Sequence, residues 1–182
     1  MANQPGTATS PSVDLPSVDL PSTASSCVDW PALRDAARDV MARAYAPYSQ
    51  FPVGAAGLVD DGRVVVGCNV ENAAYGLALC AECSMISALI VGGGGKLVAV
   101  ACVQRTGATV MPCGRCRQLL WEHGGPGMLL DTPRGVLPMA DVLPMAFGPE
   151  DLRVGIAGES EPTGQAGLSW GNAQHSDAEV RP

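Results

Sequence analysis

Charge and aromatic rings are scarce in this chain of 182 residues: charged side chains make up 16% of it and aromatic ones 4%, with two Phe and two His. Each shortage removes a class of function. No lysine- or arginine-rich stripe runs through the sequence, and a phosphate backbone is held mainly by such stripes, so nucleic acid is not an expected partner. The formal net charge is -7, yet the body from Cys27 to Gly155 carries ten basic against twelve acidic residues. Most of the acidic excess sits outside it, in Asp14, Asp19, Glu159, Glu161, Asp177 and Glu179. No apolar stretch reaches the roughly 20 residues that a helical membrane span needs. The longest, Met85 to Val103, is broken by Gly92-Gly-Gly-Gly95 and Lys96. The start of the chain does not combine basic residues with an apolar run, the mark of a secretory signal, so the expected location is the cytoplasm, with no membrane partner. The seven cysteines (Cys27, Cys68, Cys80, Cys83, Cys102, Cys113 and Cys116) form an odd set. They read as reduced thiols serving as metal ligands or core residues and not as a disulfide framework. A small neutral substrate suits this balance.

What is present is apolar: 47% of residues are hydrophobic, enough for a core, and the length suits one domain. Residues 1–26 are rich in Pro, Ser and Thr, with Pro-Ser-Val-Asp-Leu twice in tandem (Pro11 to Leu15, Pro16 to Leu20). Such a stretch buries too little apolar surface to offset its ordering entropy, and disorder is expected there. The same holds for the acidic, glycine-rich stretch 157–182, where Trp170 and His175 read as solvated. Between them, 27–156 alternates helix and strand signals. Asp29 reads as an N-cap with Pro31 in the first turn, opening a helix over Ala32 to Tyr45 that Pro47 stops. Val53 to Val59 and Arg63 to Cys68 flank the turn Asp60-Asp61-Gly62 as a hairpin. A helix follows from Cys80 to the glycine run, then a buried strand over Leu97 to Val103. Another helix covers Gly114 to His123, and strands over Met128 to Asp131 and Val136 to Met139 turn at Pro133-Arg-Gly135. The pattern predicts a layered α/β fold, a mixed five-stranded sheet with helices on both faces.

The chemistry gathers at Cys80-Ala-Glu-Cys83 and Met111-Pro-Cys113-Gly-Arg-Cys116. Thiolates are strong zinc ligands, and a catalytic zinc keeps three protein ligands so that water can take the fourth position. Both groups open predicted helices, whose free N–H groups and positive potential favour thiolates. Glu82 lies just after Cys80, on the first turn of that helix, as a proton carrier. Two other readings use the same spacing. Cys83, about one turn beyond Cys80 at roughly 3.6 residues per turn, would make a closed four-cysteine structural site. Either Cys-x-x-Cys pair would also suit redox chemistry. Spacing alone leaves these alternatives open. Cys27, Cys68 and Cys102 read as buried apolar thiols without a catalytic role.

Residues outside the thiols favour one reading. Ala44-Tyr-Ala-Pro-Tyr-Ser-Gln-Phe-Pro-Val-Gly-Ala-Ala56, Gly67-Cys-Asn-Val-Glu-Asn-Ala-Ala-Tyr-Gly76, Leu79-Cys-Ala-Glu82 and Pro112-Cys-Gly-Arg-Cys-Arg-Gln118, in that order, resemble the small homotetrameric zinc-dependent cytidine deaminases from about Trp30 to Leu152. The resemblance implies one Zn²⁺ per subunit on Cys80, Cys113 and Cys116, with Glu82 as the acid/base group. It implies a nucleoside substrate, a role in pyrimidine salvage and a homotetramer. It places Asn69 and Glu71 on the ribose hydroxyls, Phe51 against the base, and the backbone of Ala81 on the base carbonyl. By the same likeness Phe147 reaches the site of a neighbouring subunit and Tyr75 lies near the interface. Without the likeness, Asn69 and Glu71 would read as a capping cluster between strand and loop. The sequence departs from the family where Arg commonly follows the catalytic Glu, since Cys83 stands there. Arg115 or Arg117 is then expected to offset the charge of three thiolates, with Arg115 favoured because it lies between two ligands. A deaminase of another aminated nucleoside, of blasticidin type, and a structural four-cysteine module are the competing classes.

Overall fold

The computed structural model describes residues 28–153; the two predicted tails and Cys27 lie outside this range. Asp29 caps the first helix, α1 (Trp30–Met41), by accepting the Ala32 N–H at 3.0 Å. Leu33 and Ala37, one turn apart, bury its apolar stripe. The helix stops at Met41, four residues before the expected end at Tyr45. Beyond it Tyr45 donates its N–H to Asn69 O at 3.1 Å and accepts the Glu71 N–H at 2.8 Å. An extended segment that pairs with 69–71 cannot also be helical.

Strands β1 (Val53–Val59) and β2 (Val64–Cys68) form the expected hairpin, with Gly62 at φ +89° in its turn. Helix α2 (Ala81–Val91) leads to β3 (Leu97–Gln104), and α3 (Gly114–Gly124) leads to β4 (Leu129–Thr132). The last strand, β5 (Gly135–Pro138), is followed by the single turn α4 (Met139–Val142), so Met139 opens a helical turn where a strand end was expected. The sheet order is β2-β1-β3-β4-β5, antiparallel except for the β3–β4 pair that α3 connects. A mixed five-stranded sheet with helices on both faces matches the sequence-based expectation.

Alternation along the strands divides the interior in two. Ala55, Val100 and Cys102 face α2 and α3, with Met85, Leu89 and Leu120. Ala56, Ala99, Ala101 and Val103 face α1, with Leu33 and Ala37. Small strand residues let the helices approach closely. A Cβ on Gly67 would fall 2.2 Å from the backbone nitrogen of Met85, so α2 can lie against β2 at this distance only because that position is glycine. The contact sets where the first turn of α2 stands relative to Asn69 and Glu71, just past the end of β2. Among the described residues no helix is long and apolar enough to cross a membrane.

Candidate active site

Cys80 and Cys113 occupy equivalent places, each the N-cap of a helix with extended backbone. Cys116 lies in the first turn of α3 and is fully buried. The two helix starts converge, and the three sulfur atoms fall within 4.8 Å of one another, Cys80 and Cys113 at 3.9 Å. Cys83 is not part of this trio. Its sulfur lies 3.3 Å from Nη2 of Arg115, whose same nitrogen is 3.9 Å from the Cys80 sulfur. Arg117 turns the other way, donating from Nε to Pro112 O at 3.0 Å and from Nη1 to Val142 O at 3.5 Å. Of the two candidate arginines, only Arg115 faces the thiols.

The protein alone does not favour three thiolates. Burial pushes the Cys80 and Cys116 thiols up, and the neighbouring Glu82 carboxylate adds to it. At Cys113 burial acts in the same direction, but hydrogen bonds from the Cys116 backbone and the adjoining thiols outweigh it and hold this thiol down. A cation is what lets three sulfurs ionise side by side, and sulfur donors in a trio with one side open suit zinc.

Cys80 and Cys113 line a cavity of about 260 Å³, and the fully buried Cys116 does not. Glu82, in the first turn of α2, is 4% exposed and lines it too. Behind Glu82, on β3, the Cys102 thiol is fully buried. Desolvation and the glutamate's charge push it well up, so it remains neutral. Cys68, expected to be buried, is half-buried instead, since it ends a strand at the sheet edge. Ala81 opens α2 beside the cavity, and the N–H of a first helical residue has no partner inside the helix. Phe51, Asn69 and Glu71 line the same cavity. Asn69 accepts the Val53 N–H at 2.8 Å and donates to Phe51 O at 3.1 Å. Glu71 accepts the N–H groups of Tyr48 and Ser49 at 2.9 and 3.2 Å, and the Ser49 hydroxyl. These bonds, the Ser49 hydroxyl foremost, hold its carboxyl below the usual range. Both residues therefore cap the 48–53 loop while facing the cavity.

Sequence reasoning missed the apolar wall of Val53, Leu79, Val110 and Met111. Of these Leu79 and Met111 carried a local signal, as the residues leading into Cys80 and into Pro112-Cys113. Phe147 is not among this chain's own cavity residues. It is half-exposed, and its carbonyl accepts from Gln118 Nε2 at 2.8 Å. Tyr75, 79% exposed, meets Tyr48 edge to face at 6.4 Å between ring centres.

The same arrangement has known relatives. Residues 31–129 match the cytidine and deoxycytidylate deaminase zinc-binding region. A cytidine deaminase of Mycobacterium tuberculosis is 59% identical over 125 residues, which cover 69% of this chain and 94% of that protein. One of Sporosarcina psychrophila is 42% identical over 115 residues, 60% of this chain and 85% of the other. The crystal structure of the cytidine deaminase of Mycobacterium leprae, 64% identical, superposes with a TM-score of 0.64 over 64% of this chain and 98% of its own. Fold, thiol trio and sequence agree, and the chain belongs to the cytidine deaminase family.

Proposed function

We propose that the chain hydrolyses cytidine and 2′-deoxycytidine to uridine and 2′-deoxyuridine, releasing ammonia. The observation that carries this reading is a buried carboxylate, Glu82, which lines one cavity together with two of three converging thiols and the polar side chains of Asn69 and Glu71. Cys80, Cys113 and Cys116 would hold one Zn²⁺, which when bound supplies a Lewis acid that eases deprotonation of a water molecule. Glu82 takes that proton and passes it to N3 of the cytosine ring as oxygen attacks C4. It then carries the remaining hydroxyl proton to the amino group, the C4–N bond breaks, ammonia leaves and a carbonyl remains. Positioned proton transfer of this kind contributes roughly 10²–10⁴-fold. The low exposure of Glu82 supports the role, because it keeps the proton transfers apart from bulk water.

Phe51 bounds the base, the Ala81 N–H donates to its carbonyl oxygen, and Asn69 and Glu71 engage the ring hydroxyls of the sugar. Arg115 offsets the negative charge that three thiolates leave on a divalent cation. The chain works as a homotetramer, a reading supported by its exposed Tyr75, Leu77, Met145 and Phe147, with Phe147 reaching a neighbouring site. The role is pyrimidine salvage in the cytoplasm, where thiols stay reduced.

The test is release of uridine and ammonia from cytidine by the zinc-loaded chain, with 2′-deoxycytidine and other aminated nucleosides alongside. Turnover of both cytosine nucleosides is expected. A folded, zinc-loaded chain that leaves both intact contradicts the reading.

A further inference from the structure

Glu71 reaches the cavity wall with most of its hydrogen-bonding capacity already committed. An ionised carboxylate accepts at about four lone-pair positions, two on each oxygen. Oε2 receives the N–H groups of Tyr48 at 2.9 Å and Ser49 at 3.2 Å, which fill it. Oε1 receives the Ser49 hydroxyl and keeps one lone pair. The same hydroxyl accepts the Phe51 N–H at 3.0 Å, so one side chain ties the Glu71 carboxylate to the residue that bounds the base. The chain follows this path because Gln50, between Ser49 and Phe51, adopts φ +55°, a left-handed conformation uncommon outside glycine. Its N–H donates to Ala46 O at 3.1 Å, and its side-chain amide donates to Pro47 O at 2.7 Å. Such conformations persist where surrounding contacts enforce them, and they concentrate at functional sites.

We propose that Ser49 is a positioning residue for sugar recognition, its hydroxyl orienting Glu71 so that a single lone pair of Oε1 meets a sugar hydroxyl. The proposal rests on the reading of Glu71 as a sugar ligand. Because the loop is braced before substrate arrives, the ring hydroxyls meet a preset acceptor and no ordering cost falls on binding. The Asn69 bonds to Phe51 and Val53 brace the loop independently, and the Tyr48 and Ser49 N–H groups still hold Oε2, so removing the Ser49 hydroxyl releases Oε1 and not the loop as a whole.

The unchanged chain, Ser49→Ala and Glu71→Gln, each zinc-loaded, are assayed for cytidine turnover with 2′,3′-dideoxycytidine as competitor. The competitor keeps the base and lacks both ring hydroxyls. Losing one hydrogen bond to a charged group should raise the Ser49→Ala KM for cytidine about 3–10-fold, with kcat and the inhibition constant of the competitor within about twofold. An unchanged KM overturns the proposal. So does an equal loss of affinity for nucleoside and competitor while Glu71→Gln still tells them apart, since that marks a general loosening of the loop. Glu71→Gln losing as much affinity for the competitor as for cytidine overturns the sugar reading, and the proposal with it.

Discussion

A single side chain, Arg115, bears on the unusual position of Cys83. Three thiolates on a divalent cation leave a net charge of -1, which makes the metal a weaker Lewis acid. Arg115 Nη2 points at Cys83 and Cys80, and the thiols in turn hold its guanidinium firmly protonated. Arg115→Ala is expected to weaken zinc binding and slow turnover by about 10-fold, the lower end of what partners of metal ligands contribute. Chelator competition and the cytidine assay measure the two effects. Full rate with unchanged zinc affinity would show that the charge is balanced elsewhere. The thiol trio itself was legible in the sequence, because cysteines at helix starts carry their own signal. The exclusion of Cys83 came from the family resemblance and not from spacing. It depends on the direction in which one side chain leaves the first turn of α2, which spacing does not encode. Asn69 and Glu71 carried two expectations, a cap between strand and loop and, by resemblance, sugar ligands; the structure shows the cap and sets both residues on the cavity wall.

Strands and helices were readable where local rules decide them. The Asp29 cap, the Gly62 turn and the glycine run after α2 all stand where their chemistry placed them. Boundaries moved where partners distant in sequence decide, as at Tyr45, which leaves the helix to pair with 69–71. The bond that ties α1 to β4 is of this second kind. Asp131, 1% exposed, accepts Arg34 Nε and Nη2 at 2.7 Å each, and Thr109 Oγ1 at 3.0 Å. No periodicity links residues 97 positions apart. Through Thr109 the same carboxylate anchors the segment running into Val110, Met111 and Cys113. Asp131→Asn should lower stability by about 1–3 kcal/mol, below what breaking a fully buried pair costs because the Arg34 side chain is 38% exposed and can rehydrate. Chemical denaturation measures it, and an unchanged midpoint would mean that the pair holds nothing together.

For the molecule as a whole, the described residues leave large apolar side chains uncovered: Met145 at 100%, Val91 at 90% and Tyr75 at 79% exposure. Scattered exposure is ordinary, but several such side chains flank the cavity mouth or the segment that carries Phe147. Light scattering is expected to give the mass of four copies. A fully active monomer would contradict the assembly and leave Phe147 without a role in a neighbouring site. Nothing in a single sequence could have decided this, since a side chain waiting for another subunit has the same composition as one left in solvent.

The central claim is narrower: Glu82 moves protons beside an open three-thiolate metal centre. Cytidine turnover by the zinc-loaded chain and by Glu82→Gln, with zinc content measured in both, tests it most directly. The account predicts uridine and ammonia from the unchanged chain, full zinc in both proteins, and a rate lower by about 10²–10⁴-fold or more in the variant. A variant that retains zinc and turns over at the unchanged rate would contradict it.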